Sequence, residues 1–314
     1  MTFRPNKLPP RARLLAATGI ASILMGVSLP SLAQSYQLTA LARATSIDSL
    51  NNQTDTQSLN LNLINQPSAL SPQTLDAKAH QGGGEAIALF QGNIGQLKAY
   101  AQASHPYCCD NQGRTIAQGY SDATVQASFF DTLKVAGAGL ADGTAVNYKI
   151  TIQIEGELSS PAFEIGGFLS AYAQAETRLT DLTSGEQVIL RWEAGKQDTG
   201  MFSTSIDTVV GHTLGLSASV AVGTYVSSFA TTSRGATADF YHSFNYALAP
   251  SIEGLNTVGL SGHDYMAPVP EPTSLALVCS GLGVISLARR NLLKRKVRSV
   301  NTQSRFRRNS AAWA

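Results

Sequence analysis

His105, Cys108, Cys109 and Asp110 put four potential metal donors within six residues, a set of the kind that binds zinc or copper. The pattern fails on spacing, because metal loops separate their thiolates by two or more residues and these cysteines are adjacent. A Cys108–Cys109 disulfide is also hard to close, since consecutive Cα atoms lie about 3.8 Å apart, below the usual range of roughly 4.4–6.8 Å. In an oxidising compartment a strained vicinal bridge or an intermolecular one stays open. Glu155 and Glu157, two apart on a strand, would stand roughly 6.6–6.8 Å apart on one face, near the carboxylate separation of inverting glycosidases. They continue the polar face of Lys149, Thr151 and Gln153, and a catalytic acid needs burial to raise its pKa, so solvated surface is the better reading.

Other candidates fall in the same way. His242, between Phe240 and Phe244, reads as a hydrogen-bonded structural histidine. Gly215 to Ser219 (GLSAS) lacks the second glycine of a nucleophile elbow, and Gly82-Gly83-Gly84 lacks the lysine and helix of a phosphate loop. The loops Asp110 to Gly113 and Asp181 to Glu186 lack the ligand density of a calcium motif. No catalytic residue, metal ligand or cofactor is expected. What remains is aromatic: Trp192, Tyr100, Tyr120, Tyr148 and Tyr172 would stack on sugar rings if they lined up on an exposed face.

The elements that must position these residues have period two. Val146, Tyr148, Ile150, Ile152 and Ile154 alternate with Asn147, Lys149, Thr151, Gln153 and Glu155, which predicts a half-buried strand. The alternation recurs at Leu97 to Ala101, Val125 to Phe129, Leu169 to Leu179, Val188 to Trp192, Leu214 to Val222 and Ala236 to Leu248. Turn residues separate these runs at Asp110 to Gly113, Asp142-Gly143, Ser184-Gly185 and Gly195 to Gly200. No stretch between Gln34 and Pro268 keeps a helical period. Eight or more antiparallel strands predict an all-β body, a jelly-roll-like β-sandwich, with a closed barrel as the alternative. Gln34 to Gln81, rich in Asn, Gln, Ser and Thr, reads as a polar linker with one possible strand at Leu59, Leu61 and Leu63.

The chain has 314 residues, 43% apolar and 14% charged, with a net charge of +2. That balance hides an asymmetry, for ten basic residues face twenty acidic ones between Gln34 and Pro268, a net of −10. Phosphate binding needs a basic stripe on the folded body, so nucleic acid is excluded as a partner. The cations sit at the ends. Arg4, Lys7, Arg11 and Arg13 precede the apolar run Leu14 to Leu29, then Pro30 and the small residues Ser31 and Ala33. This is the order of a secretory signal peptide, cut by signal peptidase between Ala33 and Gln34. Sixteen helical residues at about 1.5 Å each reach only about 24 Å, short of a hydrocarbon core of about 30 Å, which favours a cleaved signal over an anchor.

At the other end Val269-Pro270-Glu271-Pro272 precedes the uncharged run Thr273 to Ala288, and Arg289, Arg290, Lys294, Arg295, Lys296 and Arg298 follow. Cations there stay cytoplasmic, so the run would cross the inner membrane with the acidic body outside. The two prolines fix φ and disfavour helix in the residues before them, which keeps Val269 to Pro272 extended and accessible to a protease. This succession resembles the PEP-CTERM sorting signal, also known as the ice-binding protein C-terminal domain. The resemblance implies recognition of Pro270, Glu271 and Pro272 by an exosortase in Gram-negative bacteria that make exopolysaccharide. The chain departs from the pattern by running on to Ala314 through Arg305, Phe306, Arg307 and Arg308. Gly95 to Val135 with Ser128 to Val135 (SFFDTLKV), Ala238-Asp239-Phe240 and Ser261-Gly262-His263-Asp264-Tyr265 also look like the secreted body found ahead of such signals, a resemblance that carries no assigned chemistry.

The chain therefore divides into a signal peptide (1–33), a linker (34–81), a sandwich (82–265), a segment with the Pro-Glu-Pro motif (266–272), a transmembrane sorting helix (273–288) and a basic cytoplasmic tail (289–314). The expectation is an exported, non-enzymatic cell-surface or matrix protein, anchored transiently and associated with exopolysaccharide or biofilm. A carbohydrate-binding or adhesive sandwich is one alternative and a secreted hydrolase another. Ice binding would need a flat array of regularly spaced threonines, which the sequence lacks.

Overall fold

The period-two signal is carried by twelve antiparallel strands among the described residues of a computed structural model. These residues are 35–266 without 110–114, 116, 160–168 and 231–234, and without the side chains of 242 and 243. The signal peptide, its Ala33–Gln34 cleavage bond, the Pro270-Glu271-Pro272 motif, the run 273–288 and the tail 289–314 lie outside them. Among the described residues no helix is long and apolar enough to cross a membrane.

In chain order the strands are β1 (Gln37–Asp48), β2 (Gln53–Ile64), β3 (Gln73–Gln81), β4 (Gly84–Asn93), β5 (Gln96–Ser104) and β6 (Gly119–Lys134). They continue as β7 (Ala145–Leu158), β8 (Leu169–Asp181), β9 (Gln187–Glu193), β10 (Gly200–Val209), β11 (Thr213–Ser227) and β12 (Gly235–Pro250). One sheet runs β2-β1-β6-β11-β8-β9 and the other β10-β7-β12-β5-β4-β3. Two separate sheets make a sandwich, not the closed barrel of the alternative reading.

The linker reading of 34–81 is corrected. β1 lies inside the first sheet between β2 and β6, and β3 edges the second. β1 escaped notice because its inward face, Leu38, Ala40, Ala42 and Ala44, is mostly alanine, a weak strand signal. β2 has an exposed, polar edge position. It is tied to the other sheet by side chains: Gln57 Oε1 accepts the Lys78 amide at 2.6 Å and Asp55 Oδ2 the His80 amide at 2.8 Å. These bonds occupy backbone donors that an open β3 edge would offer to another chain.

Alanine also sets the thickness of the core. Ala40, Ala42 and Ala44 face Ala77, Ala79, Ala86 and Ala88, with Ala99, Ala101, Ala103, Ala123 and Ala127 beside them, all buried. Cα atoms of β1 come within 8 Å of β3 and β4, and those of β6 within 8 Å of β4 and β5. Stacked sheets normally stand about 10 Å apart, and methyl groups permit the closer approach. Elsewhere rings fill the space. Trp192 meets Phe240 at 5.4 Å, and Phe129 meets Tyr246 edge-on at 5.1 Å. Phe240 and Phe244 share the inward phase of β12, and a register shift between them accompanies the close stacking of their rings at 5.8 Å.

After β12 the chain returns across the body as a strap. Tyr148 Oη donates to the Asn256 carbonyl at 2.7 Å, and the Leu260 amide to the Thr132 carbonyl at 2.6 Å. Asp131, fully buried, accepts Ser261 Oγ at 2.6 Å and Tyr265 Oη at 3.0 Å. Burial pushes its carboxyl up, against the pull of those donors. A Cβ on Gly259 would collide with this carboxylate, so only glycine lets the strap pass so close.

Candidate functional site

The outer face of the first sheet brings together residues far apart in sequence. Cross-strand pairing sets Thr45 beside Asp122, Asp122 beside Tyr225 and Tyr225 beside Ser170. The next row holds Arg43, Thr124, Gly223 and Tyr172, and on the other side Tyr120 pairs with Ser227. Directly opposed residues in a sheet interact most strongly. Three tyrosines from β6, β11 and β8 thus bracket one carboxylate. Tyr120 and Tyr225 lie 5.3 Å apart between centroids, tilted by 33°. Tyr172 leans over β11: a Cβ on Gly223 would meet its Cε1 and Cζ at 2.6 Å. An aromatic ring covering a cross-strand glycine is a known way to stabilise such a pair.

Asp122 is the anomaly on this face. It is half-buried, and burial pushes its carboxyl up to about 6, with Arg43 pulling the other way. Among the described residues it has no hydrogen-bond donor and no ion pair; Arg43 acts on it through space only. Its oxygens are not among the fully buried unpaired ones, so water meets them where no ligand does, and a perturbed carboxyl on an open face is a candidate for a site. Burial raises all three tyrosines as well, helped by the nearby Asp122 charge. Their hydroxyls stay protonated, those of Tyr172 and Tyr225 in hydrogen bonds with Thr124 and Ser227.

The stacking candidates divide between core and surface. Trp192 is buried, its indole N–H donating to the Asp198 carbonyl at 2.9 Å. Tyr148 is fully buried, pushed up to about 12 by burial. Both fall on the inward phase of their strands, so neither can stack on a sugar. Tyr100 lies on β5 in the other sheet, bonded to Gln102 Oε1 at 2.6 Å. Tyr120 and Tyr172 do share the outer face of the first sheet, where both are half-buried. Tyr225, Asp122, Arg43 and Gly223 were missed, although Tyr225 keeps the outward phase of Ser217 and Ser219 along β11.

The remaining candidates take their places in the scaffold. Cys108 and Cys109 are joined as a vicinal disulfide with Cα atoms 3.7 Å apart. Both ring nitrogens of buried His105 face carbonyls, of Pro106 at 3.1 Å and Ile47 at 3.3 Å, so neither the disulfide sulfurs nor this imidazole offers a metal a free thiolate or nitrogen. Among the described residues no group of three or more acidic, histidine or cysteine side chains is placed to hold one. Glu155 and Glu157 are exposed, and GLSAS lies within β11. His242 and Asp110 fall outside the described side chains. In the β8–β9 turn, buried Asp181 accepts the Thr183 and Ser184 amides at 2.8 and 3.0 Å, Thr208 Oγ1 at 2.6 Å and His212 Nδ1 at 2.6 Å. Burial works upward on this acid, but these bonds outweigh it and hold the carboxyl at about 2.

No family model matches the chain, and no curated protein matches it. A solved structure of TmCBM61 in complex with β-1,4-galactotriose is similar over 58% of this chain and 76% of its own, with 11% identity and a TM-score of 0.20. A likeness of that size carries no argument about function.

Proposed function

We propose that this is an exported, non-enzymatic β-sandwich of the cell surface or extracellular matrix, which binds polysaccharide through the tyrosine-lined face of its first sheet. Export follows the signal-peptide pattern ending at Ala33. Sorting follows the Pro270-Glu271-Pro272 pattern, through an exosortase acting while the run 273–288 holds the chain in the inner membrane. The observation that supports binding is Asp122: a carboxylate to which no described residue donates, set among three half-buried tyrosines, aromatic surface of the kind that packs on a sugar. The net charge of −10 between Gln34 and Pro268 disfavours polyanions such as nucleic acid.

Affinity electrophoresis through gels containing the producer's own exopolysaccharide tests the binding. The protein is expected to be retarded, and Tyr172→Ala with Tyr225→Ala to run freely; unretarded wild-type protein would refute the reading. Mass spectrometry of the mature protein from cells with and without the sorting protease tests the sorting. A chain beginning at Gln34 and ending near Glu271 is expected only in cells with the protease, and an untrimmed cytosolic chain refutes it.

A further inference from the structure

We propose that the tyrosine face takes an uncharged glycan of more than one sugar unit, with Asp122 as the specificity-determining acceptor for a pair of sugar hydroxyls. This rests on the reading of that face as a polysaccharide site. An ionised carboxylate only accepts hydrogen bonds, and among the described residues no protein group donates to it. The ligand must therefore bring donors. Adjacent hydroxyls of a pyranose do so in pairs, matching the two oxygens of a carboxylate.

Charge narrows the ligand further. Arg43, exposed and one row along on β1, offsets Asp122 without pairing to it, so the pair presents one acceptor and one donor at no net local charge. A uronic acid would set its carboxylate against Asp122 in a half-buried site, where like charges repel strongly. A free amine would gain Asp122 but meet Arg43. The acidic body repels polyanions at longer range as well.

Geometry sets the length. Tyr120, Asp122 and Thr124 occupy successive outward positions of β6, and Tyr172 stands in the row of Thr124. Two such steps along a strand span about 13 Å. That exceeds one pyranose ring, so the rings at both ends of the face are used together only by an oligosaccharide.

The test is a glycan array of uncharged, uronate and free-amine oligosaccharides of several lengths, probed with the intact exported protein, followed by titration of the strongest hit. Uncharged oligosaccharides are expected to bind, and their monosaccharides not to. Asp122→Asn, checked for folding by circular dichroism, should weaken the hit about tenfold and admit uronate oligomers that the wild type rejects. Binding led by uronates or amines, or an uncharged hit whose affinity Asp122→Asn leaves unchanged while Tyr225→Ala abolishes it, would overturn the inference and leave the polysaccharide reading standing. An array without any hit would overturn both.

Discussion

Tyr265 Oη donates to Asp131 Oδ2 at 3.0 Å across a sequence separation of 134 residues. It joins the Ser128–Val135 stretch, which ends just past β6, to the Ser261–Tyr265 strap, two segments whose resemblance to secreted bodies came without a stated role. The role is structural. Asp131 is fully buried and is satisfied by Ser261, Tyr265 and the Thr132 amide, so the strap completes the fold instead of trailing from it.

Breaking that latch should loosen the strap first. Tyr265→Phe removes one donor from a buried carboxylate and should cost about 1–3 kcal/mol in urea unfolding. Combined with Ser261→Ala, it should expose the chain near Leu255 and Leu260 to thermolysin before the strands are cut. Cleavage at the wild-type rate would show that the strap is not held by Asp131.

The turn of Asp181 should make the sandwich sensitive to acid. Asp181 sits at about 2 in the fold, below its ordinary 3.8, so the unfolded chain takes up the proton more readily. Its contribution, on the order of 2 kcal/mol, is fully present above pH 4 and disappears as pH falls through about 2. Melting temperatures recorded from pH 5 to 2 should fall in the wild type. The decline should be shallower in Asp181→Asn, which starts from a lower stability; equal slopes would contradict the assignment.

Asp122 should behave in the opposite sense. Its folded value of about 6 lies above the ordinary 3.8, so the folded state holds the proton more tightly and stability declines as pH rises from 4 through 6. The groups facing it are Arg43, Tyr120, Tyr172 and Tyr225. Asp122→Asn is expected to stabilise the protein at pH 8 by on the order of 1–2 kcal/mol after solvent screening. Below pH 4 it should change little. A gain in stability with a loss of binding marks a residue kept for function.

The alanine-lined part of the core should resist enlargement. Ala101 is fully buried on β5, where Cα atoms of β5 and β6 come within 8 Å. Ala101→Leu must push the sheets apart or distort rotamers, at about 1–3 kcal/mol. Guanidinium melts of this variant at neutral stability would show that the interface has spare room.

How much of this was legible in the sequence depends on side-chain size and phase. β7 and β11 announced themselves because Ile and Val mark one face while polar residues mark the other. β1 did not, because alanine carries little strand preference and its burial comes from close sheet approach, a tertiary effect. The tyrosine face was half legible. Tyr120 and Tyr172 were candidates as aromatics, but only the pairing of β6 with β11 and of β11 with β8 places them around Asp122. Trp192 and Tyr148 misled because aromatic type alone does not tell inward from outward phase, which along β9 and β7 was set by Leu190 and Ile150.

The most direct measurement is a heteronuclear NMR titration of the protein with the glycan that binds it. Shifts are expected to concentrate on Asp122, Thr124, Tyr172, Gly223 and Tyr225 and their neighbours on β6, β8 and β11. Perturbations confined to the outer face of the other sheet, around Tyr100, or to the loop of Cys108 and Cys109, would contradict the account.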